Sequence, residues 1–259
     1  MPRLAVTIIA RDEEDRLPAV LASVRFADEI VVVVDAATKD RTEEVARAAG
    51  ARTLVRVFDG FGPQKNAAAD LTTAPWILSL DADEAVSPAL AKEIESLFTR
   101  LSDMPARGET VGYRIPIRLH FLGRTLRFGR DTVVKPVRLY HRSFARFTNA
   151  PIHERVVPDG PVEVLHGSVL HRSYRDLAHY LEKLDLYTTL AAEARFEARR
   201  RATRLLPLRV GWELFDRAVL RLGILDGREG LTWAMLSTGN TLLKNLKLRE
   251  LWRKAGARS

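Results

Sequence analysis

The chain has 259 residues, 46% hydrophobic and 29% charged, which is enough for one sizeable core plus an appendage. It contains no cysteine, so a disulfide framework, a thiolate nucleophile and a cysteine-ligated metal are excluded. The net charge of +8 is concentrated late: residues 195–259 hold 15 Lys/Arg against 6 Asp/Glu, and residues 1–194 hold 26 against 27. Whatever anionic partner the charge implies therefore belongs to the C-terminal quarter.

The first hundred residues alternate strand and helix patterns. "LAVTIIA" (Leu4–Ala10) is a short β-branched apolar run, and "EEDRLPAVLASV" (Glu13–Val24) repeats apolar residues at helical spacing. "EIVVVVD" (Glu29–Asp35) is continuous enough to be a strand covered on both faces. Asp40 and Glu43 have the spacing of a variant capping box for the helix "RTEEVARAAG", which Gly50 would end. "ARTLVRVF" predicts a third strand, "PQKNAAADL" a helix with Pro63 in its first turn, and "WILSL" a fourth strand. Strand–helix alternation with short connections predicts a parallel, doubly wound α/β sheet.

After about Gly112 the pattern changes. "GYRIPIRLHFLGRTLRF" and "VRLYHRSFARF" read as antiparallel strands, and the chain turns helical from Tyr174. Two amphipathic helices, near Val210–Leu222 and Leu231–Trp252, flank the predicted turn "LDGREG". The expected organisation is an α/β half over residues 1–111, a second half of the same domain over 112–173, and a basic helical region over 174–259. The N-terminal apolar run is too short for a signal peptide, and no run approaches the ~18 apolar residues of a membrane span. A cytoplasmic location is expected.

Ligands of open α/β sheets bind beyond the carboxyl ends of the strands. Three acidic features fall there: "ARDEE" after the first strand, Asp35 after the second, and "DADE" (Asp81–Glu84) after the fourth. Asp81 and Asp83 are two residues apart, so in an extended segment they lean to one side. Paired carboxylates suit a hard divalent cation that also holds a phosphate. The alternative is that Asp81–Glu84 cap the helix near Pro88. Lys65, in "DGFGPQKN", reads equally as a phosphate-binding charge or a solvated helical lysine, and Glu13 as favourable charge at a helix N-terminus.

Together these residues resemble the family 2 inverting glycosyltransferases of GT-A fold, most of all the lipopolysaccharide and lipooligosaccharide core glucosyltransferases. The family's "IIAKNEE" stands here as "IIARDEE" and its "VVDSGSTDRT" as "VVDAATKDRT", while "GFGPQKN" and "LDADE" are unchanged. "GYRIP", "FLGR", "RLY", "HERV", "YLEKLDLYTTLAA" and "LDGREG" extend the likeness from Leu4 to about Gly230. The resemblance implies a GT-A, Rossmann-like mixed sheet flanked by helices, with a C-terminal amphipathic helical extension. It implies transfer of a hexose, glucose from UDP-glucose foremost, onto a lipopolysaccharide core or related glycolipid. Ala10, Glu13 and Asp35 would line the nucleotide pocket, Asp81 the ribose side, and Lys65 would sit near the nucleotide. Asp83 would ligate Mg2+ or Mn2+ on the diphosphate. Two departures stand beside the matches: Asp12 replaces the family's Asn, and Ala36-Ala37-Thr38 replaces Ser-Gly-Ser.

Displacing a nucleoside diphosphate needs a cation for the leaving group and a general base for the acceptor hydroxyl. Glu154 in "NAPIHERV" matches the family's late His-Glu pair and is the expected base; the alternative is an ion pair with Arg155 or Arg138. His153 reads as an orienting or packed residue, and His166 and His171 carry no assignment. Apolar stripes with interleaved arginines after residue 205 suit an anionic membrane surface, peripheral on the inner face of the cell membrane, as well as they suit packing on the domain. A sugar-1-phosphate nucleotidyltransferase is a same-fold rival, but "ARDEE" lacks that class's glycine-rich loop. A non-catalytic basic protein binding nucleic acid or membrane is a second rival. The tail shows apolar stripes more than base-stacking aromatics, so nucleic acid is not the expected partner.

Overall fold

The structure, a computed structural model, describes residues 3–129, 133–150 and 154–256. They fall into two compact units: Met1–Arg118 with Val134–His171, and Leu119–Val133 with Arg172–Ser259.

In the first unit the apolar runs become β1 (Leu4–Ala10), β2 (Glu29–Asp35), β3 (Arg52–Arg56) and β4 (Trp76–Asp81). Between them lie α1 (Leu17–Ser23), α2 (Thr42–Ala48) and α3 (Phe61–Asp70); β5 (Glu84–Val86) and α4 (Pro88–Phe98) follow. The four strands pair in parallel, with Ile8 opposite both Val32 and Leu80 in register. Val6, Ile8, Val32, Leu78 and Leu80 are buried with Leu17 and Leu21 of α1 and Leu90 and Ile94 of α4. Each such side chain removed from water stabilises the fold by roughly 1.5–3 kcal/mol. Ser87 caps α4 by accepting the Leu90 N–H at 3.2 Å.

The later strands are β6 (Gly112–Arg114), β7 (Ile117–Phe121), β8 (Arg124–Thr125), β9 (Val133–Val134) and β10 (Val137–His141). They continue with β11 (Ala145–Phe147), β12 (Val156–Pro158), β13 (Val162–Val164) and β14 (Val169–His171). β10 runs antiparallel to both β4 and β6, completing a seven-stranded mixed sheet of order β13-β6-β10-β4-β1-β2-β3. β11 and β12 form an antiparallel pair, and β14 lies antiparallel to β5 with His171 opposite Glu84. This is the mixed α/β sheet flanked by helices that the sequence predicts.

Two local expectations fail for identifiable reasons. α1 starts at Leu17 and not at Glu13, because the Glu13 carbonyl is used in a turn, accepting from the Arg16 and Leu17 N–H groups. Pro18 then occupies the first helical turn, where its missing N–H costs no bond. The Asp40–Glu43 capping box does not form. The Asp40 carboxylate instead accepts from Thr42 N and Glu14 N, both at 3.0 Å, and Glu43 pairs with Arg47 one turn on.

The second unit is built from α5 (Leu177–Glu197), α6 (Leu206–Phe215) and α7 (Gly227–Lys254), with a π turn over Asp216–Leu220 and a 3-10 turn over Gly223–Asp226. Asp176 caps α5 by accepting from His179 N at 2.8 Å. α7 buries Ala234, Thr238, Thr241, Asn245 and Leu248, a stripe at three- and four-residue spacing whose mostly small residues allow close packing. Lys247 Nζ joins α7 to α5 through Asp185 Oδ1 and Thr189 Oγ1, both at 2.7 Å.

"LDGREG" is only partly the expected turn. Gly227 bends the chain at φ +74°, but Gly-Arg-Glu-Gly is already the first turn of α7. A Cβ on Gly230 would lie 2.1 Å from the Gly223 carbonyl oxygen, so only glycine fits there. Buried Asp226 accepts from Arg127 N and Phe128 N at 2.9 and 2.8 Å. The described residues 119–129, which the sequence reading gave to the 112–173 half, group with the helices. Among the described residues no helix is long and apolar enough to cross a membrane.

Candidate active site

The stretch "GFGPQKN" is a device for placing Lys65. A Cβ on Gly62 would lie 1.9 Å from the Thr148 carbonyl oxygen, so glycine lets α3 press against the segment after β11. Asn66 locks that approach, its amide donating to the Phe147 carbonyl at 3.0 Å and its carbonyl accepting from Phe147 N at 3.1 Å. Gln64 is buried and accepts from Arg56 Nη1 at 2.6 Å. Lys65, 4% exposed, then has its Nζ 2.9 Å from Asp81 Oδ1 and 3.0 Å from Glu154 Oε1, and 5.1 Å from the centre of the Phe147 ring. The solvated-lysine alternative is excluded. Glu154 pairs with this lysine, not with Arg155 or Arg138.

A second cation completes the cluster at the end of β4. Arg138 of β10 is buried and donates through Nη2 to Asp81 Oδ2 at 3.1 Å and to Glu84 Oε1 at 2.7 Å. Glu84 Oε2 in turn accepts from Asp81 N at 2.9 Å. Burial alone would push the Asp81 carboxyl up, but Arg138 and Lys65 outweigh it and hold it well below the usual carboxylate range. Glu84, 1% exposed, is pushed up by its burial despite Arg138. The acids crowded at this strand end are thus compensated by two buried cations. They do not cap α4, which Ser87 does.

Asp81 and Asp83 line the same cavity but hold different partners. After β4 the chain turns, and Asp83 faces other partners: its Oδ2 lies 3.2 Å from His171 Nε2 and 3.5 Å from Arg16 Nη1. Arg16 also holds Glu13 through two 2.5 Å bonds. Burial lowers the His171 pKa, but the hydrogen bond its ring donates to Asp83 and the surrounding carboxylates raise it more. Asp35 is buried at the end of β2, accepts from Ala37 N at 2.9 Å, and lies 3.4 Å from Arg11 Nη1. Asp12 has φ +54° and accepts from Lys39 N at 2.7 Å, a left-handed position that Asn and Asp both tolerate; replacing the family's Asn therefore keeps the backbone shape.

Two cavities open on this cluster. One, of about 300 Å3, is lined by Ala10, Glu13, Asp35, Gln64, Asp81 and Asp83 among others. The other, of about 490 Å3, is lined by Lys65, Asp81, Arg138, Phe147 and Glu154 among others. The structure therefore gathers Ala10, Glu13, Asp35, Asp81 and Asp83 in the first, and Lys65, Asp81 and Glu154 in the second. Asp81 borders both.

The residues present fit a divalent cation at Asp83. Asp83 lines the first cavity, and the His171 imidazole nitrogen lies 3.2 Å from its carboxylate oxygen. Among the described residues no three His, Asp or Glu side chains form a closed cage. A carboxylate with one neighbour, the rest completed by phosphate oxygens and water, is the usual manner of binding Mg2+. Reading the sequence missed Arg16, left His171 without a role and weighed Arg138 only as a partner for Glu154. Arg138 lies in "VRLYH", where alternation would point a charged residue into the sheet's covering layer, but nothing local marks its partners. His153 lies outside the described residues, and His166, which is exposed, bonds Glu93 on α4.

The family model Glycosyl transferase family 2 matches residues 5–144. The uncharacterized glycosyltransferase RT0209 of Rickettsia typhi is 26% identical over 97% of this chain and 88% of its own. The lipopolysaccharide core biosynthesis glycosyltransferase LpsC of Rhizobium meliloti is 28% identical over 76% of this chain and 73% of its own. Among solved structures, residues 1–349 of S. aureus TarS align with a TM-score of 0.45 and 12% identity, covering 98% of this chain and 92% of that one.

Proposed function

The chain belongs to glycosyl transferase family 2, and on that premise we propose that it moves a hexose, glucose from UDP-glucose first, onto a lipopolysaccharide core or related glycolipid with inversion. The observation that carries this reading is the Asp81–Lys65–Glu154 chain across two adjoining cavities. The cavity under β1 and β2 takes the nucleotide: Ala10 allows close approach, Asp35 meets the base, Glu13 lines the wall, and Asp81 meets the ribose. Residues 1–111 are then the donor half and 112–173 the acceptor half of one domain.

Asp83, with His171 beside it, would hold a Mg2+ or Mn2+ ion for the diphosphate. When bound, that ion supplies Lewis-acid stabilisation of the charge gathering on the leaving group. Glu154 borders the other cavity, where the acceptor hydroxyl enters, and takes its proton as the oxygen attacks the anomeric carbon. A base on the face opposite the diphosphate gives inversion by direct displacement. Lys65 aims the Glu154 carboxylate and neutralises Asp81, so two acids stand close without repulsion. The likeness to LpsC, a lipopolysaccharide core biosynthesis glycosyltransferase, supports the acceptor class.

The helical unit adds a membrane contact. Leu205, Leu208 and Trp212 are 66%, 69% and 63% exposed on and beside α6, with Arg201, Arg204 and Arg209 near them in sequence. An exposed apolar ridge among arginines suits the interface of an anionic leaflet, where each basic residue contributes about 1 kcal/mol. The enzyme would then work peripherally on the inner face of the cell membrane. A panel of nucleotide-sugars assayed for hydrolysis with Mg2+, Mn2+ or chelator tests the proposal. Turnover of UDP-glucose that chelator abolishes is expected; no turnover of any donor overturns the reading.

A further inference from the structure

The helical unit encloses a cavity of about 360 Å3 that takes no part in the mechanism above, within the ~300–1,000 Å3 range of small-molecule pockets. Its walls include Tyr180 and Tyr187 of α5, Arg217 of the π turn, and Trp233, Ser237 and Lys244 of α7. On α7 these positions recur at four and seven residues, one face of the helix.

Two groups on that face are buried with no hydrogen-bond partner: the Trp233 indole Nε1–H and the Ser237 hydroxyl, one turn apart. A buried indole N–H ordinarily finds an acceptor, and a buried donor left unmade carries a desolvation penalty that a bound acceptor removes. The lining is also cationic. Against Lys183, Arg217 and Lys244 stands one carboxylate, Glu213, which bonds Arg217 at 2.9 Å. Burial above all, then Arg195 and Arg209, holds the Lys244 ammonium below its ordinary pKa against the opposing pull of Glu213.

Aromatic rings line much of the remaining wall, beside Leu184, Asn240 and Thr241. The Trp233 ring centre lies 5.8 Å from Tyr180 and 6.0 Å from Tyr174. Tyr180 is pushed up to about 12 by burial, so its hydroxyl stays protonated. Aromatic faces beside hydroxyl and N–H donors suit the C–H face and hydroxyls of a sugar, and the cation excess suits an anionic substituent. The volume is larger than orthophosphate needs.

We propose that this cavity binds a phosphorylated sugar, with the phosphate at Lys244 and Arg217 and acceptor oxygens at Trp233 Nε1–H and Ser237 Oγ. A free sugar phosphate and the head group of a phosphoglycolipid share this chemistry, and the test separates them.

The full-length chain, labelled with 15N, has four tryptophans, and comparison with Trp233→Phe assigns the Trp233 indole resonance. Saturating UDP is kept in every sample, so that binding in the cavity at Asp83 does not enter the readout. Glucose 1-phosphate and a synthetic dialkylglyceryl glucosyl phosphate, an anionic phosphodiester, in phosphatidylcholine vesicles are the probes; glucose and inorganic phosphate are the controls. A saturable shift of the Trp233 resonance is expected with a phosphosugar and not with either control. Lys244→Gln should weaken it about tenfold, as for loss of a charge-assisted hydrogen bond. A shift with the vesicles alone identifies the lipid head group as the source; a shift with glucose 1-phosphate identifies the free sugar phosphate. No shift with either phosphosugar, an equal shift with inorganic phosphate, or undiminished affinity in Lys244→Gln overturns the proposal. Should Lys244→Gln not fold, Ser237→Ala is judged by the same criterion of weakened binding.

Discussion

Lys65 Nζ lies 3.0 Å from Glu154 Oε1 across 89 residues of chain, and the same ammonium lies 2.9 Å from Asp81 Oδ1. Glu154→Gln keeps an oxygen for Lys65 to bond but cannot take a proton. Transfer should fall by about 10²–10⁴-fold, with UDP-glucose affinity unchanged by calorimetry. Turnover at the parent rate would remove Glu154 as the base.

Asp83→Asn retains the size of the side chain and one carbonyl oxygen but loses the charge that attracts a cation. UDP should bind more weakly with Mn2+ present and about equally without it, since the lost interaction runs through the cation. Equal affinity in both conditions would mean that Asp83 is not the ligand.

Buried and exposed ion pairs should differ in their value to the fold. Arg138→Met leaves Glu84, whose side chain is 2% exposed, as an uncompensated charge, and should cost about 3–5 kcal/mol in urea unfolding. Arg146→Met breaks the Asp70 pair, whose side chains are 58% and 54% exposed, and should cost about 0–1 kcal/mol. Equal losses would contradict the buried role of Arg138.

Acid should destabilise the fold through Asp81. Its folded pKa lies well below the unfolded value of about 3.9, so the unfolded chain binds the proton first. The stabilisation is present above the unfolded pKa and is lost as pH falls through and below it towards the folded pKa. Melting temperature followed down from about pH 6 should drop less steeply below about pH 4 in Asp81→Asn than in the parent. Parallel slopes would show that Asp81 is not depressed.

The apolar ridge on α6 predicts a membrane phenotype without loss of fold. Leu208→Ser with Trp212→Ser removes two exposed side chains, so helical content should stay the same while flotation with vesicles containing anionic lipid falls. Undiminished flotation would assign these residues no part in membrane binding.

The sequence by itself determined the period of each element and the sheet edge to which the acids go. Continuous apolar runs such as Val31–Val34 can only be covered strands, and parallel connections bring Asp35 and Asp81 to one rim. The family likeness added Glu154 as a candidate base and gave Asp83, already paired with Asp81 in the sequence reading, the metal role. Only the tertiary structure decided the partners: Lys65 with Glu154, Arg138 with Asp81 and Glu84, and His171 with Asp83. The reason is physical. Strand and helix patterns follow from neighbours a few residues apart, whereas an ion pair depends on two side chains that the fold brings within 4 Å from distant parts of the chain. Gly62 belongs to the same class: it looks like a loop residue in sequence, yet it is the gap through which Thr148 approaches α3.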